Sequence, residues 1–208
     1  VGRTLVEAYQ AGYQQTTADI IAYAHDDVRV DDPNWYWRVL QEFNDDSVGL
    51  VGFAGSLGQG VPWMYNQPFD WKTTGRTGKF FSNMPDAENH GERLTGSRDV
   101  GHLDGMTLFV RRTILDNAGP KDPVTGLMMS RETTGWPVRT PLNYYGYDYW
   151  LGCETRRQGY KMRMVGVACA HLAGIRPEHR QYALEGQEAG NRWLWDNYRD
   201  VLPYMVEG

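Results

Sequence analysis

The sequence predicts an α/β domain with a mostly parallel central sheet flanked by helices. Two apolar runs of strand length, Ile20-Ile21-Ala22-Tyr23-Ala24 and Val48-Gly49-Leu50-Val51-Gly52-Phe53-Ala54-Gly55, read as buried strands. Segments of helical period stand before and between them, and the order helix, strand, helix, strand implies crossover helices and parallel neighbours. At 208 residues the chain is long enough for one sizeable core. No repeat, low-complexity tract or linker divides it, so residues 1–208 read as a single domain.

The elements follow in order. Thr4-Leu5-Val6-Glu7 has the form of a capping box, and Leu5, Ala8, Tyr9, Gly12 and Tyr13 share one helical face. The strand from Ile20 then runs into His25-Asp26-Asp27-Val28. Asp31-Asp32-Pro33 supplies a helix start, and Trp35, Val39, Leu40 and Phe43 carry an apolar stripe to about Asn44. After the Val48 strand, residues 56–102 show no sustained period and carry many glycines with Trp63, Tyr65, Trp71, Phe80 and Phe81. A stretch of that length in a compact domain is expected to be a ligand-facing insertion with some short strands. Leu103 to Arg112 returns to strand, and Thr113-Ile114-Leu115 opens a short helix. A second irregular span, residues 119–143, includes Trp136-Pro137. The pattern is helical from Tyr147 to Gln158, with Gly159 just past the end. Lys161 to Cys169 reads as a last strand ending near His171, and residues 178–208 as a helical tail anchored by Tyr182, Leu184, Trp193 and Leu194.

Composition excludes several classes. The formal charge is −5, with a sequence pI near 5.5, which argues against a nucleic-acid binder. Cys153 and Cys169 match no zinc spacing, so a disulfide scaffold is not expected and a reducing, cytoplasmic compartment is. No apolar run reaches the roughly 20 residues of a membrane span and no signal peptide opens the sequence. With 8 Trp and 13 Tyr, the chain is rich in side chains that stack on flat or ring-shaped ligands.

The chemistry concentrates at His25-Asp26-Asp27. Ligands of open α/β sheets collect at the carboxyl ends of strands, and strand geometry puts His25 and Asp27 on one face and Asp26 on the other. Two adjacent carboxylates in a partly buried strand end are costly to ionise without a positive partner, and a hard cation bridging to phosphate oxygens supplies one. A pair of acids serving the Asp31-Asp32-Pro33 turn is the plainer alternative.

Four segments in this order resemble family 2 and related glycosyltransferases of the GT-A fold. They are Tyr23-Ala24-His25-Asp26-Asp27-Val28, Leu103-Asp104-Gly105-Met106 leading into Val110-Arg111-Arg112, Gly146-Tyr147-Asp148 followed by Arg156-Arg157-Gln158-Gly159-Tyr160, and Ala170-His171. Together they span most of residues 1–175. The resemblance implies a Rossmann-like fold that takes a nucleotide-diphosphate sugar. The chain as given opens near the helix before the metal-binding strand, so the family's usual first strand-helix-strand is expected to be lacking. A sheet edge left open in this way suggests self-association into a homo-oligomer.

The resemblance also implies roles. His25-Asp26-Asp27 matches the family's Asp-x-Asp motif, which makes Asp27 the leading ligand of a divalent Mn2+ or Mg2+, with His25 and Asp26 toward the donor. His171 matches a further metal ligand, with a hydrogen-bonded core histidine as its alternative. Asp104 and Gly105 match a segment lining the donor sugar, and Asp148 matches the carboxylate that deprotonates the acceptor. Asp148 could equally be a plain helix N-terminal acid, and Asp104 a turn residue. Tyr147 stands where Glu is usual, and with Trp136 is assigned to the acceptor; Trp63 and Trp71 are of the same kind.

The activity implied is metal-dependent transfer of a sugar from a UDP- or GDP-sugar to a carbohydrate or glycoconjugate hydroxyl, with inversion. Two other classes remain open. A nucleotidyltransferase or phosphoesterase would need more converging carboxylates for two metals. A non-catalytic carbohydrate-binding or scaffold domain derived from a transferase would fit the missing front strand and Tyr147.

Overall fold

The computed structural model describes residues 4–60, 76–85, 91–119, 134–137, 140–142, 145–172 and 180–207. In chain order the elements are α1 (Leu5–Gln15), β1 (Ile20–Ala24), β2 (Val28–Val30), α2 (Trp35–Glu42), β3 (Val48–Gly52), β4 (Ala54–Gln59), β5 (Arg76–Ser82), β6 (Ser97–Val100), β7 (His102–Leu103), β8 (Thr107–Arg111), α3 (Arg112–Asp116), α4 (Tyr147–Arg157), β9 (Lys161–Val165), β10 (Cys169–His171), α5 (Arg180–Asn197) and β11 (Tyr204–Met205).

The main sheet has the order β1-β8-β3-β9-β6. It is mixed, which corrects the expectation of a mostly parallel sheet: β8 runs antiparallel to both β1 and β3, β6 runs antiparallel to β9, and only β3 and β9 pair in parallel. The reason is an insertion. β1, β3 and β9 all run in one direction, as crossover helices require, but β8 slots between β1 and β3 against that direction. A second sheet, β11-β4-β5 with β7 on β4, and a two-stranded ribbon of β10 and β2 stand beside it. The residues read as one strand at 48–55 therefore divide between two sheets at Phe53, and those read as one strand at 161–169 divide between β9 and the ribbon. The span 56–102 contributes β5, β6 and most of β4.

Alternation along the inner strands builds a core on each side of the main sheet. Leu50, Leu108 and Val110 face α1, α4 and α5 with Tyr9, Trp150, Leu151 and Leu194, while Val51 and Phe109 face α2 with Val39 and Phe43. Leu50, Leu108 and Val110 are each fully buried, a change worth roughly 1.5–3 kcal/mol per side chain of this type. Helix ends are closed by local chemistry. The Thr4 hydroxyl accepts from the Glu7 amide and the Glu7 carboxylate accepts from the Thr4 amide. Gly159, in the left-handed region at φ +82°, turns the chain out of α4. Helix α2 begins later than Pro33, because the Asp32 carboxylate accepts from the Asn34 amide and from Arg38 to form its own turn. Leu194 of the tail helix is fully buried and Trp193 packs partly against the core. The side chains of Tyr182 and Leu184 lie outside the described residues. Cys153 and Cys169 are buried free thiols. Among the described residues, no helix is long and apolar enough to cross a membrane.

Candidate active site

Strand β1 stops at Ala24, and residues 25–27 form a turn before β2. The turn is held by the His25 amide donating to Met106 O at 3.0 Å and the Val28 amide donating to His25 O at 3.3 Å. His25 and Asp27 thus converge because the chain bends, where continuous strand alternation was expected. Asp26 sits exposed at the tip. The β2–β10 ribbon supplies the third side chain: its register sets His171 opposite Val28, and the Leu172 amide donates to Asp27 O at 2.8 Å. The turn at Asp31 and Asp32 is served by Asp32 itself, so the plainer reading of Asp26 and Asp27 has no hydrogen bond behind it.

Three potential ligand atoms meet here. His25 Nδ1 is 3.2 Å from His171 Nε2, and His171 Nε2 is 3.1 Å from Asp27 Oδ1. One ligand atom from each of His25, Asp27 and His171 lies within 4.8 Å of the others. Asp27 Oδ1 is buried and accepts no hydrogen bond, a costly state for a carboxylate oxygen. Burial, then the neighbouring His171, lowers the His25 pKa and favours a neutral ring with a lone pair to give. Two imidazole nitrogens and an unsatisfied carboxylate oxygen around one point fit a divalent cation.

A second acidic group stands beside this triad. Asp104 begins the turn between β7 and β8, where its carboxylate accepts from the Met106 amide at 3.1 Å and its amide donates to Ala54 O at 2.9 Å. Asp148 lies in the first turn of α4 and accepts from its neighbour's amide at Tyr149, 3.0 Å away. Helix N-terminal position would ordinarily lower a carboxylate pKa. Here burial, followed by the negative charge of Asp104, raises Asp148 to about 7, in the range that suits a general base at neutral pH.

Two side chains assigned to the acceptor are buried. Trp136 is 2% exposed, and its ring is enclosed by Tyr9, Tyr23 and Trp150 at centroid distances of 5.0, 4.9 and 5.5 Å. It plugs the core, held by the Gln10 side chain, which accepts from the Trp136 amide at 2.7 Å. Tyr147 is likewise buried, and its phenol lies 2.7 Å from His25 Nε2. Gly105 meets that phenol directly: a Cβ there would come within 2.6 Å of Tyr147 Cζ and overlap its oxygen. Trp63 and Trp71 lie outside the described residues. Sequence reasoning missed His102, a fully buried ring stacked on Tyr149 at 4.3 Å with Nε2 3.7 Å from Asp148 Oδ2.

A mixed α/β sheet with a His-Asp-His cluster at the end of a strand and a half-buried helix-start carboxylate is compatible with a GT-A-like domain. Residues 2–115, more than half of the chain, match the Glycosyltransferase like family, and the chain belongs to it. The matched stretch carries His25, Asp27, His102 and Asp104, while Asp148 and His171 lie beyond it. No curated protein sequence matches the chain.

Proposed function

We propose that this glycosyltransferase transfers a sugar from a nucleotide-diphosphate sugar, a UDP- or GDP-sugar, to a hydroxyl of a carbohydrate or glycoconjugate, with a divalent metal and with inversion. The observation that carries this reading is the orphaned Asp27 oxygen facing two imidazole nitrogens. His25, Asp27 and His171 would hold Mn2+ or Mg2+. Such an ion, when bound, neutralises negative charge growing on the leaving diphosphate.

The chain's own residues account for the rest. Asp148 takes the proton of the acceptor hydroxyl on a carboxylate oxygen as the acceptor oxygen bonds to the anomeric carbon. The bond from that carbon to the diphosphate oxygen breaks, and its electron pair leaves with the diphosphate. A single displacement of this kind inverts the anomeric centre. The raised Asp148 pKa supports the assignment, because a base near 7 is both partly ionised and able to hold the proton. Asp104, in the turn beside β8, is assigned to the donor sugar, and Asp26 is exposed at the tip of the turn that would hold the metal.

The test is donor hydrolysis and thermal shift with a panel of UDP- and GDP-sugars, each with Mn2+, with Mg2+ and with chelator. Slow metal-dependent hydrolysis of one donor, with a matching shift, is the expected result. Absence of response from every pair would overturn this reading and leave a non-catalytic carbohydrate-binding domain.

A further inference from the structure

We propose that Tyr147 is a positioning residue that holds the His25 imidazole with its proton on Nε2, so that the Nδ1 lone pair points at the His171–Asp27 pair. The inference rests on the metal reading of this cluster and assigns a task to a side chain outside it.

A neutral imidazole carries one proton, and the partner of one nitrogen decides what the other can do. His25 Nε2 lies 2.7 Å from the Tyr147 phenol oxygen, and Nδ1 lies 3.2 Å from His171 Nε2. If Nε2 donates to the phenol oxygen, Nδ1 is left as an acceptor and can bind a cation. The proton on His171 Nε2 then serves His25 Nδ1 when no cation is present. Asp27 Oδ1, 3.1 Å from His171 Nε2, receives no hydrogen bond and stays open to a cation. In the opposite tautomer Nδ1 carries the ring's own proton and Nε2 accepts from the phenol, so His25 turns no lone pair toward the cluster; a cation displaces the proton shared between the two rings in either case. Metal-bound histidines ordinarily have their second nitrogen fixed by an oxygen in this way.

The phenol reaches His25 through a built passage. Tyr147 opens α4 directly after Gly146, whose backbone is left-handed at φ +79°, a conformation that favours glycine. The ring is wedged beside Tyr9 at 5.7 Å, and the side-chain space at Gly105 is filled by the phenol itself. Gly105 is therefore the residue that lets the Tyr147 oxygen arrive.

The test uses Mn2+ as probe for affinity and Zn2+ as a diamagnetic probe for spectroscopy. In the wild-type protein, two-dimensional 1H–15N spectra of the imidazoles are expected to show His25 protonated on Nε2, with Nδ1 shifting when Zn2+ is added. Tyr147→Phe removes one oxygen and keeps the ring; it is expected to weaken Mn2+ binding on the order of 10- to 100-fold and to mix the tautomers, with thermal unfolding of the metal-free protein little changed. Gly105→Ala should act in the same direction by displacing the phenol. A His25 proton on Nδ1 in the wild type, or Tyr147→Phe that binds Mn2+ as tightly as wild type, would overturn the inference while leaving the metal site intact. Failure of the wild type to bind Mn2+ at all would overturn the inference and the metal reading together.

Discussion

His25 Nδ1 and His171 Nε2 lie 3.2 Å apart although 146 positions separate them in the chain. Two folding events meet at that contact: the turn that ends β1 at Ala24, and the β2–β10 ribbon that lays His171 beside Val28. The donor set they form with Asp27 holds two nitrogens, which are softer ligands than the oxygens Mg2+ prefers.

Metal preference follows from that set. The protein is expected to bind Mn2+ more tightly than Mg2+, and His25→Asp is expected to narrow the gap by exchanging a nitrogen for an oxygen. Asp27→Ala should abolish the metal-dependent thermal shift, since it removes the one anionic ligand. Calorimetric titration with each ion checks all three. An unchanged Mn2+ to Mg2+ ratio in His25→Asp would remove His25 from the coordination sphere.

Much of this architecture can be read locally, and its limits have a physical cause. The Thr4–Glu7 box, the α4 stop at Gly159 and the strand of Ile20 to Ala24 depend on neighbours within a few residues, and each is present. Strand neighbours depend on distant pairing, and no pattern around Ile20 or Val48 announces that β8 will lie between them. Likewise, spacing alone does not bring His171 to Asp27; only the resemblance to known glycosyltransferases pointed there. Trp136 shows the converse. Its type is ambiguous between stacking on a ligand and plugging a core, and the decision falls to Tyr9, Tyr23 and Trp150, which come from three other elements or their ends.

Trp136→Ala tests that decision. Removing a fully buried Trp typically costs about 3–5 kcal/mol, and its ring bridges α1, β1 and α4. Denaturant unfolding should show a loss of that order with an unchanged slope. Trp136→Phe should recover much of it and keep the wild-type KM for acceptor. A Phe variant of wild-type stability with a raised acceptor KM would put Trp136 back at the binding surface.

Glu154 offers a second test of the core. Its carboxylate is fully buried and accepts from the Tyr198 phenol at 2.6 Å, with Arg157 at 3.7 Å, so it ties the end of α5 to α4. Tyr198→Phe takes away a hydrogen-bond donor from a buried carboxyl group, a change worth roughly 1–3 kcal/mol. Its effect should appear as lower unfolding midpoints with metal affinity unchanged. Equal stability of variant and wild type would mean that the bond contributes nothing net.

Under the proposed mechanism the half-buried carboxylate of Asp148 makes both rate and stability depend on pH, with opposite signs. Its pKa is raised from roughly 3.9 to about 7 by burial and then by the charge of Asp104. Between those values the folded protein keeps a proton that the unfolded chain has released. Stability from this group is therefore fully present below about pH 4 and is lost as pH rises toward 7. A general base acts in its ionised form, so in the proposed role kcat/KM should climb through the same region to a plateau above it. Asp148→Asn should retain donor binding, lose on the order of 10²- to 10⁴-fold in turnover, and no longer lose stability over that interval. Asp104→Asn removes the charge that helps hold the proton on, and should move the midpoint of the ascending limb to lower pH. Measured kcat/KM profiles of the three proteins, with thermal unfolding of each in chelator across pH 4 to 8, decide the matter: a limb at the wild-type position in Asp148→Asn would assign it to another group, and one unmoved in Asp104→Asn would break the electrostatic link between the two carboxylates.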